Sequence, residues 1–102
     1  MSVILDPEEQ ETKALFKIAG DLTGLRVLEI GCGDGRLTRR YAGQAGFVDA
    51  IDPDSERIDR ARRDHPAEIQ SRVFFHSASL DQFYTSHKRK AKYDLALLAW
   101  SL

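Results

Sequence analysis

Three glycines at alternate positions, Gly31, Gly33 and Gly35, follow directly on a short apolar run from Leu25 to Ile30, and an acid, Asp52, stands about 20 residues beyond them. Glycine takes backbone conformations closed to other residues and lets the main chain come close to a ligand. A carboxylate accepts two hydrogen bonds at once, which suits a pair of ribose hydroxyls. Together the two features read as a nucleoside-binding site, with turn N–H groups on one side and an acid on the other. Each has a plainer reading when taken alone: a glycine-rich turn that binds nothing, and a strand-end acid that caps the next helix. Their spacing, in a strand–turn–helix context, favours the ligand-binding reading.

The other reactive residue types point to ordinary roles. Cys32 sits inside the turn with no partner base in view and reads as a small, tolerated residue and not a nucleophile. It is the single cysteine, so no intramolecular disulfide can form, which fits a reducing, cytoplasmic setting. His65, His76 and His87 lack metal-ligand spacing, and no metal site is expected. Lys88, Arg89, Lys90 and Lys92 read as a solvated basic connection, and Trp100 as a residue packed at a strand end. A formal net charge of −1 gives no pull toward nucleic acid or an anionic membrane surface. No apolar run approaches the roughly 18 residues of a membrane span, and no signal sequence opens the chain.

The elements that must position the turn and the acid can be read in order. Asp6 and Pro7 open a helix, with Glu9 completing a capping box and Gly20 ending it. The first strand runs into the glycine turn, and Arg36–Tyr41 forms the following helix. Phe47 to Ile51, interrupted by Asp49, is the second strand and ends at Asp52. Pro53-Asp54-Ser55 starts a helix over Glu56–Asp64, with Ile58 and Ala61 on its apolar stripe. Arg72 to His76 is the third strand, Leu80 to Tyr84 a short helix, and Tyr93 to Trp100 the fourth strand. Strands that alternate with helices imply an α/β fold with a parallel sheet. A chain of 102 residues suffices for one domain.

The dinucleotide fingerprint G-x-G-x-x-G/A requires a small residue where Arg36 stands. Glu29-Ile-Gly31-Cys-Gly33-Asp-Gly35 instead resembles the first motif, D/E-x-G-x-G-x-G, of class I S-adenosylmethionine-dependent methyltransferases. Asp52 resembles that family's ribose-binding acid, and Pro53 the residue after it that lies against the adenine. Phe75 to Phe83, with Ala78, Ser79 and Leu80, is similar to the segment usually read F-x-x-G-D-A-x-x-L beside the adenine. Ser79 replaces the usual Asp and Ala78 the usual Gly, so the adenine contact is the weaker part of the match. Tyr93 to Trp100 is similar to the fourth-strand motif, whose end at Ala99 borders the methionine part of the cofactor.

The resemblance implies a Rossmann-like sheet with strands in the order 3-2-1-4 and flanking helices, within the family's order 3-2-1-4-5-7-6. It implies S-adenosylmethionine as cofactor, held by Glu29, Gly31, Cys32, Gly33, Gly35, Asp52, Pro53, Ala78, Ser79, Leu80 and Ala99. Glu29 would attract the cofactor's cationic amino group. The activity implied is methyl transfer to a small-molecule acceptor, with no catalytic residue identifiable. Two rivals stand beside it: an NAD(P)-binding oxidoreductase fragment, disfavoured by Arg36, and a non-catalytic cofactor-binding module. Residues 1–102 read as the front part of a larger domain, without the family's C-terminal strands. The fourth strand, apolar on both faces, is then expected to present an open edge, which a second copy of the chain would cover as a homodimer.

Overall fold

The computed structural model describes residues 2–6, 22–86 and 93–99. Five strands form one sheet: β1 (Ser2–Asp6), β2 (Arg26–Ile30), β3 (Phe47–Asp52), β4 (Val73–Ser77) and β5 (Leu95–Ala99). Among the described residues, three helices lie between the strands, α1 (Arg36–Tyr41), α2 (Ser55–Asp64) and α3 (Leu80–Ser86), with a 3-10 turn over Ala67–Ile69. The sheet order is β1-β5-β2-β3-β4, and every pairing is parallel. The four strands expected from sequence thus lie in the expected order 3-2-1-4. The helix read over residues 7–20, the basic run His87–Lys92 and Trp100 lie outside the described residues.

The open edge expected on the fourth strand is not open. β1 pairs with β5 in register along its whole length, from Ser2 opposite Leu95 to Asp6 opposite Ala99. Val3-Ile4-Leu5 is a β-prone triplet, too short to register as a strand beside the stronger helix-start signal at Asp6 and Pro7. A homodimer through that edge therefore loses its premise, and Asp6 is the last residue of a strand.

Strands covered on both faces explain the unbroken apolar runs. Val27 and Leu28 of β2, and Val48, Ala50 and Ile51 of β3, are all buried. The larger core lies on the α1 and α2 side and joins Val27, Tyr41, Val48, Ile58, Ala61, Phe75 and Leu97. The smaller core, on the α3 side, joins Leu28, Ile51 and Phe83. α2 starts where its sequence directs, because the Asp54 side chain accepts hydrogen bonds from the N–H groups of Glu56 (3.1 Å) and Arg57 (3.2 Å).

Asp94 fastens the start of β5 to β2. Its carboxylate accepts the Arg26 N–H at 2.9 Å, and its own N–H reaches Arg26 O at 2.8 Å. On the other side of β2, Gly46 passes so close to Gly24 that a Cβ on it would lie 2.8 Å from the Gly24 carbonyl oxygen. Backbone cannot yield as a side chain can, so Gly46→Ala is expected to cost about 1–3 kcal/mol. Urea denaturation monitored by circular dichroism measures this, and a loss below about 0.5 kcal/mol would show that the turn adapts.

Candidate functional site

The chain builds outward from β2 to β3 and β4, then crosses back to lay β5 on the other side of β2. In open α/β sheets, ligands bind outside the carboxyl ends of the strands at such a reversal. The glycine turn leaves β2 at that place. Gly31, Gly33 and Gly35 have φ of 82°, 57° and 84°, left-handed values that other residues take only with strain. The turn is anchored to β3, since the N–H groups of Gly31 and Cys32 both donate to the Ile51 carbonyl, at 2.8 and 3.0 Å.

Asp52, at the end of β3, is partly buried against this turn. Its Oδ2 accepts the Gly33 N–H at 2.9 Å, and its Oδ1 accepts the Asp54 N–H at 2.8 Å. Two features read separately from sequence are therefore in direct contact. An ionised carboxylate has about four lone-pair sites, so one remains on each oxygen for a pair of ligand hydroxyls. The Ala78 N–H donates to the Asp52 carbonyl at 3.0 Å, which brings the end of β4 to the same place. Pro53 follows Asp52 on the exposed surface. Ala99 ends β5 one residue past Leu98, which pairs with Ile30 of β2.

Gly35 precedes α1 and supplies the close packing that a third glycine gives in the dinucleotide fingerprint. A Cβ there would lie 3.3 Å from Ala61 Cβ of α2 and 3.3 Å from the Phe75 ring of β4. Arg36, one residue on, is exposed.

Glu29 takes a place the sequence did not suggest. Its side chain is fully buried, and Oε1 accepts hydrogen bonds from Thr38 Oγ1 (2.7 Å) and Tyr41 Oη (2.6 Å), both on α1. Burial first, and then the Glu29 charge, push the Tyr41 phenol well above its ordinary range, so it stays a donor. Thr38 and Tyr41 are the residues that sequence reasoning missed. Their signal was two hydroxyls three residues apart on a helix face turned toward a buried acid.

Ser79 also has a local task. With Gln82 it forms a capping box on α3: its N–H donates to Gln82 Oε1 (2.8 Å), and its Oγ accepts the Gln82 N–H (3.2 Å). Leu80 begins that helix and is 37% exposed, so it presents apolar surface near the site.

Cys32 is buried, with Sγ 3.7 Å from the Gly33 carbonyl oxygen. Desolvation by burial, then the charges of Glu29 and Asp52, push its thiol far above the ordinary range. It is expected not to react with a disulfide reagent at pH 8 in the native protein and to react at once after unfolding. Rapid modification of the native protein would contradict this burial.

Asp49, the acid that interrupts the second strand, belongs to another cluster. Its two oxygens meet His76 Nε2 (2.8 Å) and the Tyr93 hydroxyl (2.6 Å), tying β3 to β4 and to the start of β5. His65 Nδ1 lies 3.3 Å from the Ala61 carbonyl, and its ring meets Phe75 edge-on. Among the described residues, no group of three His, Cys, Asp or Glu side chains could hold a metal ion. No helix of the described residues is long and apolar enough to cross a membrane.

Comparison with known proteins adds the chemistry. The methyltransferase-domain family matches residues 27–102. The magnesium-protoporphyrin O-methyltransferase of Rhodobacter capsulatus is 39% identical over 62 residues, which are 61% of this chain and 28% of that protein. A ubiquinone biosynthesis O-methyltransferase of Aromatoleum aromaticum is 38% identical over 66 residues, 65% of this chain and 28% of that protein. The matched stretch is thus under a third of the length of these relatives. An S-adenosylmethionine-dependent methyltransferase from Mesorhizobium loti superposes with a TM-score of 0.70 at 27% identity, covering 88% of this chain and 39% of that one. A dimethyladenosine transferase from Plasmodium falciparum superposes with a TM-score of 0.73 at 23% identity, covering 92% and 32%, a likeness of fold alone.

Proposed function

Because the chain belongs to the S-adenosylmethionine-dependent methyltransferases, we propose that it forms the cofactor-binding part of an enzyme that methylates an oxygen of a small-molecule acceptor. The observation that carries the binding site is the Asp52 carboxylate, held 2.9 Å from the Gly33 N–H where the strand order reverses. The residues suit this cofactor. Asp52 keeps a lone pair on each oxygen for the ribose diol, and the left-handed turn presents main chain without side chains at Gly31 and Gly33. Membership in this family also displaces the oxidoreductase alternative, whose fingerprint fails at Arg36.

S-adenosylmethionine, when bound, supplies a methyl carbon already activated by its sulfonium for in-line displacement by the acceptor. The chain's contribution is then placement: the turn and Asp52 fix one reactant, so that the second meets it in line. Oxygen is the acceptor atom favoured here because the relatives with 39% and 38% identity are both O-methyltransferases.

Incubation with methyl-labelled cofactor and separate pools of phenols, carboxylic acids, RNA and protein tests the acceptor class. Label in the phenol or carboxylic acid pool is expected. Label confined to RNA or protein would overturn the small-molecule reading.

A further inference from the structure

Three side chains beside the glycine turn are joined by short hydrogen bonds. Glu29 lies two residues before Gly31 on β2, and its Oε1 accepts hydrogen bonds from Thr38 Oγ1 at 2.7 Å and Tyr41 Oη at 2.6 Å on α1. All three side chains have no exposed surface. A carboxylate is costly to bury, and an apolar residue would serve packing at this position at least as well. Its presence calls for a task that packing alone does not perform.

The placement indicates the task. The segment from Glu29 to Thr38 contains the turn's three left-handed glycines, and glycines lose the most backbone freedom on ordering. The turn's β3 side is fastened through Ile51 and Asp52. Its other side is the junction of β2 with α1, which the Glu29 bonds close. We infer that Glu29, Thr38 and Tyr41 are positioning residues, whose buried hydrogen bonds clamp α1 to β2 across the glycine turn and hold its main chain in the shape that the cofactor meets, with none of the three side chains touching it. This rests on the cofactor reading of the turn, and it moves Glu29 from a direct contact with the ligand to the support behind it. Ordering the turn before binding removes an entropic cost that the ligand would otherwise meet.

The test uses the whole protein carrying Thr38→Val and Tyr41→Phe together, with Tyr41→Phe alone should the pair fail to fold. In the cofactor-free protein, the Gly33 and Gly35 amides, bonded to Asp52 and to Cys32 O, should exchange with solvent about tenfold faster, while the Val48 amide between β3 and β4 keeps its rate. Binding of S-adenosylhomocysteine by calorimetry should weaken about tenfold. Thr38→Ser, which keeps its hydroxyl, should restore both values in the background of wild-type Tyr41. Gly46→Ala, the destabilising change where Gly46 packs on Gly24 away from the glycine turn, should leave the dissociation constant alone, because lost global stability does not alter the affinity of folded molecules. Unchanged exchange at Gly33 and Gly35 overturns the inference even if the wild type binds S-adenosylhomocysteine. Wild-type protein that binds none overturns the cofactor reading, whatever the exchange rates show.

Discussion

Asp52→Ala should weaken S-adenosylhomocysteine binding by roughly 30- to 1000-fold, the largest loss expected from any single side chain at the site. Two effects combine. Hydrogen bonds between the carboxylate and ligand hydroxyls are worth about 1.5–3 kcal/mol because one partner is charged, and the ordering of the turn that is lost with the Gly33 N–H bond adds about 0.5–1.5 kcal/mol. Together these come to about 2–4 kcal/mol, and each 1.4 kcal/mol is a factor of ten in affinity. The second effect exists because Asp52 Oδ2 is bonded to Gly33 at 2.9 Å, so its removal loosens the turn as well as the ligand. Asp52→Asn, which keeps one acceptor oxygen, should fall between the wild type and Asp52→Ala. Calorimetric titration of the three proteins decides this. An unchanged dissociation constant in Asp52→Ala would contradict both effects.

Gly35→Val should be the most destabilising substitution in the turn, with a loss of about 3–5 kcal/mol, a large share of the 5–15 kcal/mol typical of a folded domain. The residue has φ of 84°, and an L side chain in the left-handed region costs roughly 1–2 kcal/mol before any contact is counted. Its Cβ would stand 3.3 Å from Ala61 Cβ and from the Phe75 ring, and Ala61 and Phe75 are 0% and 5% exposed. Overpacking a buried contact of this kind adds about 1–3 kcal/mol, and the β-branch of valine enlarges it. Gly43→Ala is the control. Nothing lies within 4 Å of a Cβ there, and its φ is not left-handed, so a change within about 0.5 kcal/mol is expected. Urea unfolding of both variants measures the difference, and equal stabilities would show that the α1–α2 packing around Gly35 is loose.

Most of the sheet was legible because its strands obey simple rules. Continuous apolar runs bounded by glycine, proline and aspartate marked β2, β3 and β5, and the alternation with helices implied parallel pairing. That Asp52 lies near the turn was legible too, since a strand-end acid at that spacing from the glycines has few other places to lie, but the direct hydrogen bond from Gly33 was not. β1 was not legible. Its strand character comes from the β5 edge it pairs with, and a short apolar stretch says nothing of a partner more than 90 residues away.

The role of Glu29 was hidden for a related reason. Motif resemblance assigns it to the ligand, but a side chain's direction depends on which face of β2 the helix covers. Ser79 shows the opposite failure. The pattern Ser79-Leu-Asp-Gln82 is a capping box legible in the sequence, although the same residues also resemble an adenine-contact motif.

This glycine turn and Asp52 are expected to bind S-adenosylmethionine and not a nicotinamide dinucleotide. Calorimetric titration of the protein with S-adenosylhomocysteine and, separately, with NAD tests it most directly. Saturable binding of S-adenosylhomocysteine at one site and no measurable heat from NAD are expected. Tighter binding of NAD, or saturation by neither ligand, would contradict it.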